Sequence, residues 1–315
     1  MSTGTFNNTT LIAGPAILRF PGTPAVDVIS EGDIQERIVR ETWQPRTSLH
    51  GAHDTRLTSQ HVELSFSPSG DAPGFTKCAV PTYGPADIGK SIMQAGPFIV
   101  QTAGGQRVSY DRFALTRPAE IILAASATLN GACTIACLHK NNEELVAVDA
   151  LNTITSGALT VGYTGDYEAA SRRWRAAFGA VNMHVEGPIR IQITPEVEIK
   201  KLEAFGAVDI YLKSLQVTAR FKPADLTEAD VYNLMKVQGS TAVLPGQSLA
   251  KAGDNLVFTE LVGSSPKTAT IFAAGISGGG LEYGDVTNRD GELEFISRHR
   301  FTGAAPQALW SFSLV

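Results

Sequence analysis

The sequence predicts a mainly β protein with two similar β-sandwich or small-barrel domains, each with a short flanking helix. Residues 31–71 align without a gap on residues 186–226 at an offset of 155, with 13 identities in 41 positions; average composition would give roughly 2 or 3. Residues 129–139 resemble residues 289–299 at an offset of 160. Several segments also alternate apolar and polar residues, which indicates strands with one buried face.

The repeat period is about half the chain, which predicts an internal duplication rather than a solenoid of short units. We place the first domain at residues 1–155 and the second at residues 156–315. Residues 1–15 are rich in Thr, Asn and Gly. We expect them to form an N-terminal arm that stays extended or mobile until another molecule holds it.

The positions that both copies share are mainly turn residues and core residues, because Gly, Pro and Asp restrict turns and large apolar side chains fill cores. We expect Asp54 and Asp209 to organise turns by accepting hydrogen bonds from backbone amides. No catalytic constellation stands out among the shared residues, so the repeat preserves a scaffold. The shared turn and core positions are Gly32 and Gly187, Gly51 and Gly206, Asp54 and Asp209, Phe66 and Phe221, and Pro68 and Pro223.

Strands dominate the first domain. Residues 57–68 alternate Leu57, Val62, Leu64 and Phe66 with Ser59, His61, Glu63 and Ser65. This alternation slips near Gln60, which a β-bulge would explain. Residues 71–97 contain several prolines and glycines and are predicted to be irregular. The other predicted strands are at residues 16–20, 26–30, 34–43, 98–102, 107–116, 120–129 and 132–140.

Three helices are predicted. One covers residues 141–154. A second covers residues 166–179, where Tyr167, Ala170, Trp174 and Phe178 have near-helical spacing and Gly179 is a C-cap. The third has the best signal, with Asp225 as N-cap and Gly239 after its end. Residues 240–285 are predicted to include Gly-rich loops, and strands are predicted at residues 293–301 and 307–315.

The composition and the N-terminal sequence argue against several classes of protein. The net charge of −5 gives no basic surface for a protein that coats DNA. No apolar run is long enough to span a bilayer, and the N-terminus lacks the pattern of a signal peptide. The three cysteines, Cys78, Cys133 and Cys137, are expected to be reduced, buried thiols, which predicts production in a cytoplasm.

One segment matches an enzymatic motif. Residues Gly84 to Ser91 read GPADIGKS, the spacing of a phosphate-binding loop. Such a loop follows a buried strand and opens a helix, whereas here Pro85 lies inside the motif and Pro97 follows soon after it. We therefore predict no nucleotide binding and no catalytic residues.

Two other clusters of residues suggest binding sites. His50, His53 and Asp54, with His61, suggest zinc, but the ligand set is incomplete and the second copy has Phe205 and Val208 at the first two histidine positions. We expect solvated loop histidines, no metal and no cofactor. The cluster Arg172, Arg173 and Arg175 surrounds Trp174; contact with nucleic acid is one interpretation, and arginines presented to a neighbouring subunit is the favoured one.

The sequence also resembles the tail tube proteins (major tail proteins) of long-tailed bacteriophages. The matching pattern consists of Gly14–Pro15–Ala16, Glu31–Gly32, Gly51 to Asp54, Phe66 to Pro68, Phe113 to Pro118, and Asn130–Gly131. The resemblance implies a virion protein, made in the host cytoplasm, that forms stacked six-domain rings. It implies tape-measure, tail-tip and terminator proteins as partners, no membrane, and DNA that passes through the lumen without specific binding.

Two functional hypotheses result. In the first, the chain is a self-assembling tail tube subunit, and the duplication makes a homotrimeric, pseudo-six-fold ring equivalent to a hexameric one. Residues 72–97, residues 240–285 and the two termini are expected to make contacts between rings. In the second, the chain is a two-domain β-sandwich binding module, or another virion part such as a tail-tip, terminator or head-decoration protein. Duplication would then serve avidity.

Overall fold

The structure is a computed structural model. It describes residues 16–47, 51–52, 55–70, 72–102, 107–124, 127–138, 147–148, 174–202, 206–224, 226, 230, 234, 245, 254–261, 266–279, 291–298 and 307–314.

Within the described residues, twelve strands lie in the first half of the chain. Residues 72–87 form a helical turn at Ala72–Gly74, a π-helix at Phe75–Ala79 and a 3₁₀-helix at Pro85–Asp87. The strands are β1 (Ala16–Phe20), β2 (Val26–Ile29), β3 (Gln35–Trp43), β4 (Arg46–Thr47), β5 (Gly51–Ala52), β6 (Arg56–Phe66), β7 (Gln94–Thr102), β8 (Arg107–Arg117), β9 (Glu120–Leu123), β10 (Ala127–Asn130), β11 (Cys133–Leu138) and β12 (Ala147–Val148).

Eight strands lie in the part of the second half that the structure describes. They are β13 (Trp174–Phe178), β14 (Val181–Leu202), β15 (Gly206–Ala224), β16 (Leu256–Glu260), β17 (Thr268–Ile271), β18 (Gly275–Gly279), β19 (Leu293–Arg298) and β20 (Trp310–Ser313). The fold is mainly β with two antiparallel sheets, which confirms the predicted class. Within the described residues, no helix has the length and apolar character needed to cross a membrane.

The first sheet has the strand order β2-β1-β7-β8-β11-β6-β3, and an isolated bridge between Ser30 and Pro68 brings β2 next to β6. The second has the order β18-β19-β15-β14-β13-β16-β17-β20. Strand β14 pairs with β13 near its start and with β15 along most of its length.

Strand pairing in the two halves follows the same register. Ile38 pairs with Val62, and Ile193 pairs with Val217, so both partners differ by 155 positions. The bulge also recurs: the register shifts after Glu41 in β3 and after Glu196 in β14. A bulge was predicted near Gln60; it falls at Thr58, the unpaired residue between Leu57 and Ser59.

Pairing further from this hairpin also recurs. Cys133 pairs with Phe66, as Leu293 pairs with Phe221. Leu18 pairs with Val100, as Ala176 pairs with Phe258. Between β8 and β11 the register shifts at Thr116, whose hydroxyl donates to the Thr134 carbonyl at 3.2 Å; between β18 and β19 it shifts at Ser277, whose hydroxyl donates to the Glu294 carbonyl at 3.4 Å. The two halves thus share strand connectivity and local irregularities.

The interior forms two apolar clusters. One lies wholly in the first half and includes Phe66, Phe98 and Phe113. The other fills the second half, with Phe221 and Phe295, and continues into first-half residues such as Ala136. The alternating inward side chains of the strands build both clusters, and the second also joins the two halves.

The structure overturns the predicted helix at residues 166–179 where it describes them. Residues Trp174–Phe178 form β13, and Gly179, with φ of +57°, lies in the turn to β14 rather than at a helix C-cap. Trp174, Ala176 and Phe178 all point inward, so period-two burial decided a short apolar run that also fits helical spacing. Residues 166–173 lie outside the described residues.

Several other secondary-structure predictions also differ from the structure. In the predicted helix 141–154, Ala147–Val148 form a strand, and the rest lies outside the described residues. The single strand predicted at 120–129 is a hairpin of β9 and β10. Residues 240–285, predicted to include Gly-rich loops, contain β16, β17 and β18. The arm at residues 1–15 and the helix capped by Asp225 and Gly239 lie outside the described residues, apart from Leu226, Asp230 and Leu234.

Candidate assembly interface

The two halves meet through an added strand. Strand β9 of the first half pairs with β14 of the second, with Ile121 opposite Ile191 and Leu123 opposite Ile189. The residues at the matching positions of the first half are Ile34, just before β3, and Glu36, in β3. Strand β3 ends its sheet and carries no such strand within the described residues. One edge is therefore covered inside the chain, and its counterpart is open.

The segment Gly84–Ser91 also joins the halves. The Gly89 amide donates to the Leu212 carbonyl at 2.8 Å, and the Leu212 amide donates to the Lys90 carbonyl at 3.1 Å. The segment follows a π-helix and leads into β7, so it lacks the strand before it and the helix after it that a phosphate-binding loop needs. Its backbone groups instead extend the pairing of β15.

Asp209 is the polar centre of this contact. Its Oδ1 accepts hydrogen bonds from the Ser91 hydroxyl and from the Ile210 amide, and lies 3.4 Å from Nη2 of Arg112. The Arg112 Nη1 also donates to the Val208 carbonyl at 3.0 Å. Asp209 was predicted to organise a turn, but it lies within strand β15, where it accepts from the amide of the next residue and contacts two first-half side chains. Asp54 lies outside the described residues.

The hairpin of β14 and β15 extends across the outer face of the first sheet. Strand β14 packs against β8, and β15 packs against β6 and β11. The Lys201 ammonium forms an ion pair with the Glu41 carboxylate of β3. Because these contacts involve four strands of the first sheet, the hairpin packs against an extended surface rather than at a single point.

This seating corrects the predicted solvent face of β6. Ser59 and His61 were expected to face water, but their exposed fractions are 4% and 5%. On β11, Ala136 and Leu138 are each 1% exposed. The hairpin of the second half covers this outer face, so His61 is a buried strand residue, 3.5 Å from the Glu63 carboxylate. His50 and His53 lie outside the described residues.

The same positions in the second half are open. Ser214 and Arg298 are exposed, and Gln216 and Ile296 are partly exposed. Their counterparts by register are Ser59, Leu138, His61 and Ala136. A groove of about 320 Å³ lies here, lined in part by Ser214, Gln216 and Arg298. The second half therefore presents the outer face that the first half has covered.

The exposure of the two hairpins differs in the opposite sense: apolar residues of the β14–β15 hairpin are buried where those of the β3–β6 hairpin are exposed. Ile193 and Leu212 on the second hairpin are 1% and 0% exposed. Ile38 and Leu57 have the same register positions on the first hairpin and are 43% and 51% exposed. Trp43 near the tip of β3 is 54% exposed. The first hairpin thus carries an uncovered apolar surface where the second is buried.

The shared turn and core positions have structural roles. Phe66 and Phe221 are each 1% exposed. Pro68 bridges Ser30, and Pro223 pairs with Val185, again 155 positions apart. Gly51 and Gly206 pair at the hairpin tips with Thr47 and Leu202. Gly187 has φ of +78°, which favours glycine, whereas Gly32 does not adopt a positive φ and has open space around its Cα.

The predicted arginine cluster is described only in part. Arg172 and Arg173 lie outside the described residues, and Arg175 is exposed on β13. Trp174 points inward as expected, is 4% exposed, and donates from Nε1 to the Ala124 carbonyl of the first half at 2.8 Å.

Burial raises the pKa values of several titratable groups in the first half, which favours their uncharged forms. All three cysteines are free and buried, as predicted, and burial raises the pKa values of the Cys133 and Cys137 thiols. Burial also raises the pKa of Glu36, and the nearby Tyr110 hydroxyl opposes this shift. In the part of the chain that the structure describes, no three acidic, His or Cys side chains form a metal-binding group.

Comparison with known proteins leaves the interface as the main functional clue. No protein-family model and no curated protein sequence matches this chain.

Proposed function

We propose that this protein is a structural subunit that self-assembles into stacked rings, and that these rings form the tail tube of a bacteriophage. Each ring contains three chains, and the two halves of each chain occupy six similar positions. DNA passes through the lumen during ejection without specific binding. Tape-measure, tail-tip and terminator proteins are the partners at the ends of the tube.

The observation that carries this proposal is the recurrence of one pairing scheme in both halves, at offsets near 155. Such recurrence supports an internal duplication. Within the chain, one half is seated on the other by a heterologous contact, since different surfaces of the two halves meet. Heterologous contacts form closed rings or open filaments, and rings or stacked tubes are what the resemblance implies.

Two further observations agree with the proposal. The net charge of −5 suits a lumen along which DNA slides, because like charges repel. A binding module would present clustered exposed aromatic side chains. The large exposed apolar residues in the described ranges are Ile38, Trp43, Leu57 and Leu261, with one aromatic among them.

Negative-stain electron microscopy of the purified chain, dilute and concentrated, tests the proposal. We expect rings or tubes with a central channel and six lobes. Light scattering should give the mass of three chains per ring, each of 33.5 kDa. Two-lobed monomers at every concentration and salt tested would overturn it and favour the binding module.

A further inference from the structure

We propose that the hairpin of β3 and β6 in one copy of this chain seats on the second half of another copy. It would repeat there, between chains, the contact that the hairpin of β14 and β15 makes within the chain. This inference rests on the self-association in the proposed function, but not on the phage-tail role. It adds which two surfaces meet.

The donor surface is the apolar face around Ile38 and Leu57. Burial of Ile193 and Leu212 at the same register positions shows what covers such a face: the outer surface of a neighbouring half. Ile38 and Leu57 are left about half exposed because the next half in line is missing from a single chain. Single exposed apolar residues are ordinary, but these two have buried counterparts of identical residue type.

The acceptor surface is the outer face of β15, β18 and β19. In the first half, the matching face of β6, β8 and β11 carries the buried residues Ser59, Ala114, Ala136 and Leu138. In the second half it carries Ser214, Gly275, Ile296 and Arg298 at the same register. The groove along Ser214, Gln216 and Arg298 marks the open part of this face.

A second copy of the chain is the occupant that fits both surfaces. A single chain contains one completed contact of this kind, which we call the joint. It also has one donor surface and one acceptor surface that stay exposed. Both surfaces are exposed while the two halves form their contact within the chain, so they are available to other copies. Because the joint is heterologous, copies add head to tail until a ring closes.

Two charge insertions test the joint. The donor variant is Leu57→Lys, and the acceptor variant is Ile296→Lys. Each places a charge in the expected contact, while both side chains are at least partly exposed in the single chain, so thermal melting should stay unchanged. The matched control is Leu261→Lys, since Leu261 is 45% exposed and lies outside both surfaces.

We expect each test variant to require at least about a tenfold higher concentration for half-assembly, as for loss of a central contact. The control should assemble like the unmodified chain. Mixing the two variants should produce a heterodimer that grows no further, because one intact donor meets one intact acceptor. Light scattering would show twice the mass of one chain.

Three results would overturn the joint. Both test variants could form rings as readily as the control, which would leave ring formation itself standing. The mixture could remain monomeric, which would mean that these two surfaces do not meet. The unmodified chain could fail to associate at all, which would overturn the proposed function as well.

Discussion

Arg112 and Asp209 are 97 positions apart and lie in different halves of the chain, with 3.4 Å between Nη2 and Oδ1. Arg112 also holds the Val208 carbonyl. Arg112→Ala should therefore loosen the seat of the second hairpin and lower the free energy of unfolding by about 1–2 kcal/mol. Urea denaturation measures this. Arg117→Ala serves as a control for loss of a β8 arginine; an equal loss there would contradict a specific role for Arg112.

Ile38 and Ile193 provide a matched pair of apolar truncations. Ile193→Ala should cost about 2–4 kcal/mol of unfolding free energy, because it leaves a cavity between the halves. Ile38→Ala should cost less than about 1 kcal/mol in the unassembled chain, because its side chain is 43% exposed. Denaturation at a concentration below assembly compares the two. Similar losses would mean that the register positions do not differ in burial.

Gly96 is the glycine with the tightest surroundings among those described in strands. A Cβ at this position would lie 2.3 Å from the Tyr110 carbonyl oxygen and 2.7 Å from that of Asp111. Gly96→Ala should therefore force β7 away from β8 and destabilise the fold by about 3 kcal/mol or more. Gly32→Ala, where nothing lies within 4 Å, should be nearly neutral. Thermal melting of both variants tests the contrast.

Glu36 makes stability depend on pH. Its folded pKa is raised by burial, so the folded state binds this proton more tightly than the unfolded state does. The resulting stabilisation is fully present below the ordinary pKa of 4.5 and is lost as pH rises through the raised value. Glu36→Gln should therefore be more stable than the unmodified chain at pH 7, and this advantage should disappear near pH 4.

Melting temperatures between pH 4 and pH 8 would test the Glu36 prediction. Glu31→Gln is the control, because Glu31 is an exposed carboxylate outside the strands. A constant difference between Glu36→Gln and the unmodified chain at every pH would contradict a raised pKa.

Alternation of apolar and polar residues was enough to predict most of the longer strands of the first half. The predicted strands at residues 16–20 and 107–116 match β1 and β8 to within one residue. Pattern alone failed at Trp174–Phe178, because five residues with two small alanines satisfy either period. Only pairing with β14 and β16 decided the strand.

The interface was beyond prediction from local pattern. Ser59 and His61 read as solvent-facing because polar residues alternate there with a buried row. Their cover comes from β15, which follows some 150 positions later. The role of the segment Gly84–Ser91 was equally beyond prediction from its motif, since its Gly89 amide pairs with the distant Leu212 carbonyl. The repeat predicted that two similar units exist, but a repeat carries no information on how one unit sits on the other.

The peptide link between the two halves changes the kinetics expected of a closed ring. A tether converts one of every two associations into an intramolecular event with a high effective concentration. A ring of three two-domain chains would therefore need three molecules to meet, whereas a ring of six separate domains would need six. Its formation should fall off far less steeply on dilution, and every nucleus would begin with half of its joints already made.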